Sequence, residues 1–98
     1  MEDVIPEPIA FEWDKGNVNK NLKKHSVTNE EAEEVFSDNS ILVAEDAKHS
    51  TEYEKRYQAL GKTQMGRRLF VSFSIRNKKI RVISARPQSR KERRAYEK

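Results

Sequence analysis

Cysteine is absent from the 98 residues of this chain. Disulfide bonds and thiolate metal sites are therefore excluded, and the fold must hold without covalent cross-links. A chain of this kind suits a reducing compartment, and we expect a cytoplasmic protein.

Long apolar runs are also missing, since no stretch approaches the roughly 18 residues of a membrane span. The first residues, Met1 to Val4, are acidic and lack the basic and apolar regions of a secretory signal. We expect no membrane association. Pro6 and Pro8 disfavour regular structure near the N-terminus, so we expect a flexible tail over residues 1–8 and a single domain over the rest of residues 1–98.

Apolar residues make up only 35% of the chain and charged residues 37%, which predicts a small core. The charge is divided unevenly along the sequence. Residues 1–50 hold 5 Lys/Arg and 12 Asp/Glu (net −7), whereas residues 51–98 hold 15 and 4 (net +11). A basic half favours a polyanion partner, most often nucleic acid, although a solvated basic face is the alternative.

The central feature is the stretch from Gly66 to Arg86. Leu69, Val71, Phe73 and Ile75 alternate with polar residues, which predicts a strand with one buried face. A second strand from Lys79 is apolar on both faces, as is typical of a covered strand. The intervening Asn77-Lys78 pair is compatible with a two-residue hairpin turn.

The remaining elements follow from shorter signals. Two capping boxes, Thr28 to Glu31 and Ser89 to Glu92, predict helix starts. Asp14 is a candidate N-cap for a helix over 15–25 with Val18, Leu22 and His25 on its buried stripe. The predicted strands outside the hairpin lie at 9–13, 41–44 and 53–60.

These elements predict an α+β fold of order β-α-α-β-β-β-β-α. It consists of a small, mostly antiparallel sheet with two N-terminal helices and a short C-terminal helix. The helices would cover one face of the sheet. The other face would carry Arg68, Ser72, Ser74 and Arg76, a basic, hydroxyl-lined surface that suits RNA.

Several sequence blocks resemble the BrnT toxin family. In the first half they are Phe11-x-Trp13-Asp14, Asn21-x-x-Lys24-His25-x-Val27-Thr28-x-x-Glu31-Ala32 and Val35-Phe36-x-Asp38. In the second half they are Gly66-Arg67-x-Leu69-x-Val71, Arg81 to Arg86 ("RVISAR") and Glu92-Arg93-x-x-Tyr96-Glu97. The family has glycine after the histidine, where this chain has Ser26, and a left-handed turn is harder for a residue with a Cβ.

The resemblance implies a metal-independent ribonuclease toxin of a bacterial type II toxin–antitoxin pair, with a fold similar to RelE-type toxins. It implies that free toxin cleaves RNA and inhibits translation. The implied partner is a BrnA-like ribbon-helix-helix antitoxin that carries the DNA-binding domain. Operator DNA would be bound only through the antitoxin, in a heterotetramer containing a toxin dimer.

Metal-free RNA cleavage needs a base, an acid and a cation at the phosphate. We expect neither a metal nor a cofactor. Arg67 and Arg86 are the first candidates for phosphate contact, although each could instead pair with a carboxylate such as Glu92 or Glu54. His25 could act as acid or base or could pack at a helix end. Glu54 and Tyr96 are further candidates, and Tyr96 could instead anchor the last helix.

Further basic residues could follow the RNA backbone or could simply form a solvated surface. Those predicted to bind RNA are Arg68, Arg76, Lys79, Arg81, Arg90, Arg93 and Arg94. Two other functions stay open at this point. The chain could be a non-catalytic module that binds RNA or an antitoxin or repressor, or it could bind DNA directly, for which no helix-turn-helix pattern is visible.

Overall fold

The computed structural model describes residues 4–97 of the chain. These residues form an α+β fold with one four-stranded sheet and three α-helices, which confirms the predicted fold class. The elements in chain order are α1 (Lys20–His25), α2 (Asn29–Glu34), a short 3-10 helix (Val35–Ser37), β1 (Leu42–Glu45), β2 (Arg56–Lys62), β3 (Arg68–Arg76), β4 (Lys79–Pro87) and α3 (Arg90–Tyr96).

The sheet is a meander in the order β1-β2-β3-β4, and every neighbouring pair is antiparallel. The predicted hairpin is confirmed: Arg76 pairs with Lys79 across a two-residue turn. Both turn residues have positive φ, 50° at Asn77 and 62° at Lys78. Such a turn twists in the sense of the strands it joins.

One irregularity interrupts the β3–β4 pair. Ser72 pairs with Ser84, whereas Phe73 pairs with Val82, so Ile83 is an extra residue in β4. A bulge of this kind locally bends the strand and redirects its side chains. It explains how Val82 and Ala85 can both be buried although they are three positions apart, a spacing that puts side chains of a regular strand on opposite faces.

The core lies between one face of the sheet and the layer formed by α2 and the 3-10 helix. Phe36 links the two layers, since its ring meets Phe73 edge-on at 5.0 Å and Phe11 at 5.6 Å between centroids. The 3-10 helix also approaches β2 closely: a Cβ at Gly61 would lie 2.8 Å from Val35. The fully buried large side chains include Leu69, Val71, Phe73, Ile80 and Val82. We call the opposite side of the sheet, which carries Gln58, Phe70, Ser72, Ser74 and Ser84, the outer face.

Both predicted capping boxes are confirmed. The Thr28 hydroxyl accepts from the Glu31 amide at 3.0 Å, and the Glu31 carboxylate accepts from the Thr28 amide at 3.0 Å. Ser89 and Glu92 make the same exchange at the start of α3. Helices this short need such contacts, because isolated helices of one or two turns are unstable in water.

The predicted strand over 9–13 is wrong. Phe11 makes only an isolated parallel bridge to Ile80, with two backbone bonds from Glu12 N to the Ile80 carbonyl and from Ile80 N to the Ala10 carbonyl. The segment therefore covers one point on the β4 edge without forming a ladder. In the predicted tail, Ile5 packs against the core, and residues 1–3 lie outside the described residues.

The first helix is shorter than predicted, and its predicted stripe is wrong. Val18 and Leu22 are 38% and 48% exposed, whereas the amides Asn17 and Asn21 are buried. The reason lies in hydrogen bonding. Asn17 Nδ2 donates to the carbonyls of Glu12 and Val82 at 3.0 Å, and its Oδ1 accepts from the Asp14 amide. A fully bonded amide can be buried where a spacing rule expects an apolar side chain.

Strand boundaries differ by a few residues from the predictions. β1 is shifted by one residue, and β2 begins at Arg56 rather than at position 53. Tyr53 therefore lies in a loop and is 91% exposed. Pro87 pairs with Leu69 as the last residue of β4, which a proline can do because the strand ends there.

Candidate functional site

A polar cleft opens on the outer face near the β3–β4 turn. Its floor is one row of the sheet, in which Ser74 of β3 pairs with Arg56 of β2 on one side and with Arg81 of β4 on the other. Directly paired residues in a sheet point to the same face, so two guanidinium groups flank one hydroxyl. The cleft has a volume of about 210 Å³ and is also lined by Gly16, Asn17, Lys20, Glu54 and Arg76.

Glu54 is the carboxylate of this cleft, and two arginines hold it. Arg76 approaches one oxygen with Nε at 3.0 Å and Nη2 at 2.9 Å. Arg56 Nε donates to the other oxygen at 3.3 Å. Burial alone would raise the pKa of Glu54, but the hydrogen bonds from Arg76 and Arg56 outweigh it and lower the pKa. Glu54 is therefore ionised at neutral pH.

The loop between β1 and β2 holds Glu54 in place through its own hydrogen bonds. Thr51 Oγ1 accepts from the amide of Glu54 at 3.0 Å, as at a helix start. Ser50 Oγ accepts from the amide of Arg56 at 2.9 Å and donates to the Asp46 carbonyl at 2.8 Å. Short hydroxyl side chains favour such local bonds to the backbone, so a polar loop becomes an ordered support for the cleft.

The same loop places His49 beside the cleft. Its Nδ1 lies 2.7 Å from Asp46 Oδ2, so the carboxylate orients the ring. Burial raises the pKa of Asp46, but the hydrogen bonds and charge of His49, together with a hydrogen bond from Gln58, leave that pKa lowered. His49 and Arg56 both line a second depression of about 240 Å³ whose other walls are Asp46, Gln58, Phe70, Ser72, Ile83 and Ser84. Arg56 and Ile83 belong to both hollows, so the two are neighbours on the outer face.

Ser74 has a hydroxyl without a partner. The residue is fully buried, and its Oγ makes no hydrogen bond among the described residues. A buried hydroxyl left unpaired costs free energy of about 1–3 kcal/mol, so its presence in a native fold calls for an explanation. The hydroxyl lies on the floor of the cleft, in the row between Arg56 and Arg81.

Arg81 and Lys20 close the cleft on the β4 side. Arg81 binds Asp14 at two points, 2.7 Å and 3.0 Å, and reaches Glu12 at 3.5 Å. The hydrogen bond with Asp14 lowers the pKa of Asp14 and raises that of Arg81. Lys20 Nζ donates to the carbonyl of the bulge residue Ile83 at 3.2 Å. The N-terminal segment thus fixes one wall of the cleft through charged contacts.

The predicted pair Arg67 and His25 lies together, but apart from this cleft. Arg67 Nη2 donates to the His25 carbonyl at 3.2 Å, and Nη1 donates to the Ser26 carbonyl at 2.7 Å and to Glu31 at 3.1 Å. Ser26 has a φ of 55°, so the left-handed turn expected after the histidine forms although Ser replaces Gly. The guanidinium satisfies carbonyls at the end of α1 that would otherwise lack partners.

Arg86 and Tyr96 occupy the other end of the outer face, around α3. Arg86 makes a two-point pair with Glu92, both contacts at 2.8 Å, and its guanidinium lies 4.2 Å from the centre of the Phe70 ring. The hydrogen bond to Arg86 lowers the pKa of Glu92. The Tyr96 hydroxyl donates a hydrogen bond to the Asp38 carboxylate. Burial and this hydrogen bond raise the pKa of Tyr96 to about 12.

The residues predicted to bind RNA fall into three groups. Arg76 and Arg81 line the cleft with Glu54, so the structure brings these three predicted residues together. Arg68 pairs with Glu97 at 2.6 Å near α3. The others are exposed and have no ion pair among residues 4–97: Lys79, Arg90, Arg93 and Arg94.

Sequence reasoning placed Ser74 on the RNA-facing side of the sheet but missed four members of the site: Lys20, Asp46, His49 and Arg56. Only the spacing Asp46-x-x-His49 could have suggested a carboxylate–imidazole pair, and in a polar loop that signal is weak. Within the described part of the chain, no three His, Asp or Glu side chains converge as a metal ion would require. No helix among these residues has the length and apolar character of a membrane span.

Comparison with known families gives one match. The model of the BrnT family, described as the ribonuclease toxin of a type II toxin–antitoxin system, matches residues 13–92. No curated protein matches the chain significantly. The family match includes the cleft, the β1–β2 loop and the whole sheet, and it extends over far more than half of the chain. The chain therefore belongs to the BrnT family of ribonuclease toxins.

Proposed function

We propose that this chain is a metal-independent endoribonuclease toxin whose reaction takes place in the cleft around Glu54. The observation that carries the proposal is the Glu54 carboxylate held at 2.9–3.3 Å by Arg56 and Arg76 beside an unpaired buried hydroxyl. Metal-free cleavage of an RNA phosphodiester needs a base, an acid and a cation at the phosphate, and the cleft supplies the base and the cations. His49, beside the cleft, supplies the acid.

The arginines recognise the scissile phosphate. A guanidinium offers two parallel N–H groups that match phosphate oxygens, and it stays charged at any physiological pH. An entering phosphate competes with Glu54 for Arg56 and Arg76, and this competition frees the carboxylate oxygens. The Ser74 hydroxyl donates to one phosphate oxygen and so gains the partner that it lacks.

The reaction then needs one proton removed and one supplied. Glu54 takes the proton of the 2′-hydroxyl, and the 2′-oxygen attacks phosphorus. The bond from phosphorus to the 5′-oxygen breaks, and protonated His49 gives its proton to that leaving oxygen. The products are a 2′,3′-cyclic phosphate and a free 5′-hydroxyl. Asp46 orients the imidazole throughout, as carboxylates do for catalytic histidines.

The outer face continues the binding surface away from the cleft. The second depression offers the hydroxyls of Ser72 and Ser84, the amide of Gln58 and the ring of Phe70. A nucleotide base stacks on an aromatic ring, and hydroxyl and amide groups bind its edges or the ribose. The exposed arginines of α3 extend the basic surface. Because a base that stacks on the ring of Phe70 has to be unpaired, the substrate is single-stranded RNA.

The proposed role as a toxin rests on membership of the BrnT family. Free toxin cleaves RNA in the cytoplasm and so inhibits translation. A BrnA-like ribbon-helix-helix antitoxin neutralises it and brings the complex, with a toxin dimer in a heterotetramer, to operator DNA. The fold would correspond to that of RelE-type toxins, with the outer face of the antiparallel sheet as the RNA surface.

Cleavage of a fluorescent single-stranded RNA in EDTA tests the proposal. We expect Glu54→Gln to lower the single-turnover rate about 100-fold or more, since general acid–base catalysis contributes that much. Glu52→Gln is the matched control, because Glu52 lies in the same loop and is exposed without an ion pair among the described residues. RNA binding, measured by fluorescence anisotropy, should be retained in both variants.

The pH dependence separates the base from the acid. Glu54→Gln should remove the rise of the rate on the acidic side, and His49→Asn should remove the fall on the alkaline side. Ser72→Ala should keep both the acidic rise and the alkaline fall of the cleavage rate. Full activity of Glu54→Gln in EDTA would overturn the assignment of the base, and loss of all activity in EDTA with recovery by Mg²⁺ would overturn metal independence.

A second function, RNA binding without cleavage, is favoured by one observation. Six arginines, at positions 56, 67, 68, 76, 81 and 86, each pair with a carboxylate of the chain itself. Their charge is therefore partly neutralised before any RNA arrives. A folded wild-type protein that binds RNA, leaves it intact and does not arrest growth on expression would establish this second function.

A further inference from the structure

The free edge of the sheet is strand β1. It pairs with β2 on one side, and no strand among residues 4–97 pairs with its other side. The β4 edge, by contrast, is covered by the bridge at Phe11 and by the side chains of Asn17 and Lys20. An open edge presents unpaired N–H and C=O groups, which can template another strand.

The register identifies the groups that point outward. The Asp46 amide donates to the Arg56 carbonyl at 2.7 Å, just beyond the last β1–β2 pair. Hydrogen-bonded and non-hydrogen-bonded pairs alternate along an antiparallel ladder. Ala44 and Leu42 therefore also bond to β2, whereas the N–H and C=O of Val43 and Glu45 face away from the sheet.

Grooves flank this edge on both faces of the sheet. On the outer face, a groove of about 250 Å³ is lined by Leu42, Val43, Ala44, Gln58, Leu60, Phe70 and Glu92. On the core side, a groove of about 540 Å³ is lined by Ile5, Glu7, Ile9, Phe36, Asp38, Asn39, Ile41, Leu42 and Val43. Leu42 remains 45% exposed between them. Successive side chains of an added strand alternate between two faces, so each groove would take every second side chain.

The charge of the edge defines the partner. Among residues 4–97, the charged residues that line the two grooves are Glu7, Asp38 and Glu92, without a lysine or arginine. Glu92 is already paired with Arg86, whereas Glu45 adds a further carboxylate at the end of the strand. The matching segment is extended and apolar with interspersed Lys or Arg. A second copy of this chain fits less well, because pairing β1 with β1 would bring two such acidic rims together.

We propose that the antitoxin of this toxin inserts an extended, apolar and basic segment as a fifth strand on the β1 edge. The proposal rests on the toxin–antitoxin function and adds to it the location and the chemistry of the contact. Main-chain hydrogen bonds from the added segment to Val43 and Glu45 give affinity, and the two grooves give specificity by accommodating its alternating side chains. The strand leads directly into the loop that carries His49, so a bound segment lies next to the proposed acid.

Two variants of Glu45 test the main-chain contact. Glu45→Pro removes the outward N–H but no bond to β2, since proline is tolerated on an edge at such a position. Glu45→Ala removes the charge and keeps the N–H. With the antitoxin encoded beside this chain, we expect Glu45→Pro to weaken binding about tenfold more than Glu45→Ala, the effect of one lost hydrogen bond. Equal affinities of the two variants would overturn the proposal.

Hydrogen–deuterium exchange of the wild-type complex gives an independent readout that requires no substitution. Residues 42–46 should exchange more slowly in the complex than in the free toxin. Unchanged exchange there, with protection elsewhere, would place the antitoxin on another surface. Protection of the outward amides of Val43 and Glu45 in the free toxin, together with a dimer in sedimentation, would assign the edge to a second copy.

A third variant covers the case in which Glu45→Pro fails to fold. Leu42→Lys places a charge between the two grooves on an exposed side chain and should weaken antitoxin binding at least about tenfold. Met65→Lys is its control, because Met65 is 94% exposed and lies outside both grooves. RNA cleavage by Leu42→Lys should match wild type, so a failure of the docking proposal stays distinguishable from a failure of the proposed reaction.

Discussion

Arg67 and Ser26 are 41 residues apart in the chain, yet Arg67 Nη1 donates to the Ser26 carbonyl at 2.7 Å. The same guanidinium reaches the His25 carbonyl at 3.2 Å and Glu31 at 3.1 Å. It thus joins the end of α1, the capping box of α2 and the start of β3. A residue predicted from sequence to contact RNA phosphate is here the connector of three elements.

We expect Arg67→Lys to lower the free energy of unfolding by about 2 kcal/mol, because an ammonium group cannot reach all three acceptors of the planar guanidinium. Urea denaturation followed by circular dichroism measures this. Arg68→Lys is the control: its pair with Glu97 is 43% and 46% exposed, and exposed pairs contribute less than about 1 kcal/mol.

Arg67→Lys also tests the predicted catalytic role of Arg67, which stays a prediction. Cleavage per folded molecule should remain near wild type if Arg67 supports only the fold. A variant of normal stability that has lost cleavage would instead place Arg67 in the reaction. The same comparison with Arg86→Lys tests the second predicted phosphate ligand.

Ser74→Ala should change the stability of the fold and the rate of RNA cleavage in opposite directions. Removal of a buried hydroxyl that lacks a partner should raise the free energy of unfolding by about 1 kcal/mol. If that hydroxyl donates to the phosphate, the same substitution should lower the cleavage rate about tenfold or more. Thermal unfolding and the EDTA cleavage assay measure the two effects.

Ser72→Ala is the control for Ser74, because Ser72 lies two residues away on the same face and is partly exposed. We expect it to change stability by less than about 0.5 kcal/mol. A Ser74→Ala protein that is both less stable and fully active would mean that the hydroxyl has a structural partner and no ligand role.

The free energy of unfolding should depend on pH through the pair of Arg86 and Glu92. The pKa of Glu92 is lowered below its ordinary value of 4.5, chiefly by the hydrogen bond from Arg86. A carboxyl with a lowered pKa stabilises the fold above its unfolded pKa, and this stabilisation is lost as the pH falls through the folded value. Glu92→Gln keeps the capping box and removes the pH-dependent stabilisation that the ionised carboxyl provides.

We therefore expect wild type to exceed Glu92→Gln in unfolding free energy by about 1 kcal/mol at neutral pH, a difference that shrinks below the ordinary pKa of the carboxyl. Urea titrations across the acidic range measure it. Glu97→Gln provides the comparison at neutral pH, since its pair with Arg68 is about half exposed and should contribute less to the unfolding free energy. A constant difference across the range would contradict the linkage.

The predictable parts of this fold are those with local chemical signals. The capping boxes at Thr28 and Ser89 and the turn at Asn77 each depend on residues within four positions, and the sequence displays them directly. The period-2 pattern of β3 likewise follows from a strand covered on one face. These elements lie where they were predicted, within a few residues.

The parts that sequence could not predict depend on distant partners. Burial of Asn17 needs the Val82 carbonyl, which lies 65 residues away. The cleft needs Arg56, Ser74 and Arg81 in one row, and that row exists only once the register of three strands and the bulge at Ile83 are fixed. Charge counts indicated a basic half, but they could not show which arginines the chain's own carboxylates hold.

Tyr96 should anchor α3 without taking part in proton transfer at neutral pH. Its pKa is raised to about 12 by burial and by the hydrogen bond to Asp38. A group with a raised pKa stabilises the fold below its unfolded value, and that stabilisation is lost as the pH rises through the folded value. The difference in ultraviolet absorbance between wild type and Tyr96→Phe should therefore show a tyrosinate that forms near pH 12. Tyr96→Phe should lower the unfolding free energy by about 1–2 kcal/mol and leave RNA cleavage unchanged, whereas a stable Tyr96→Phe protein without activity would make Tyr96 a catalytic residue.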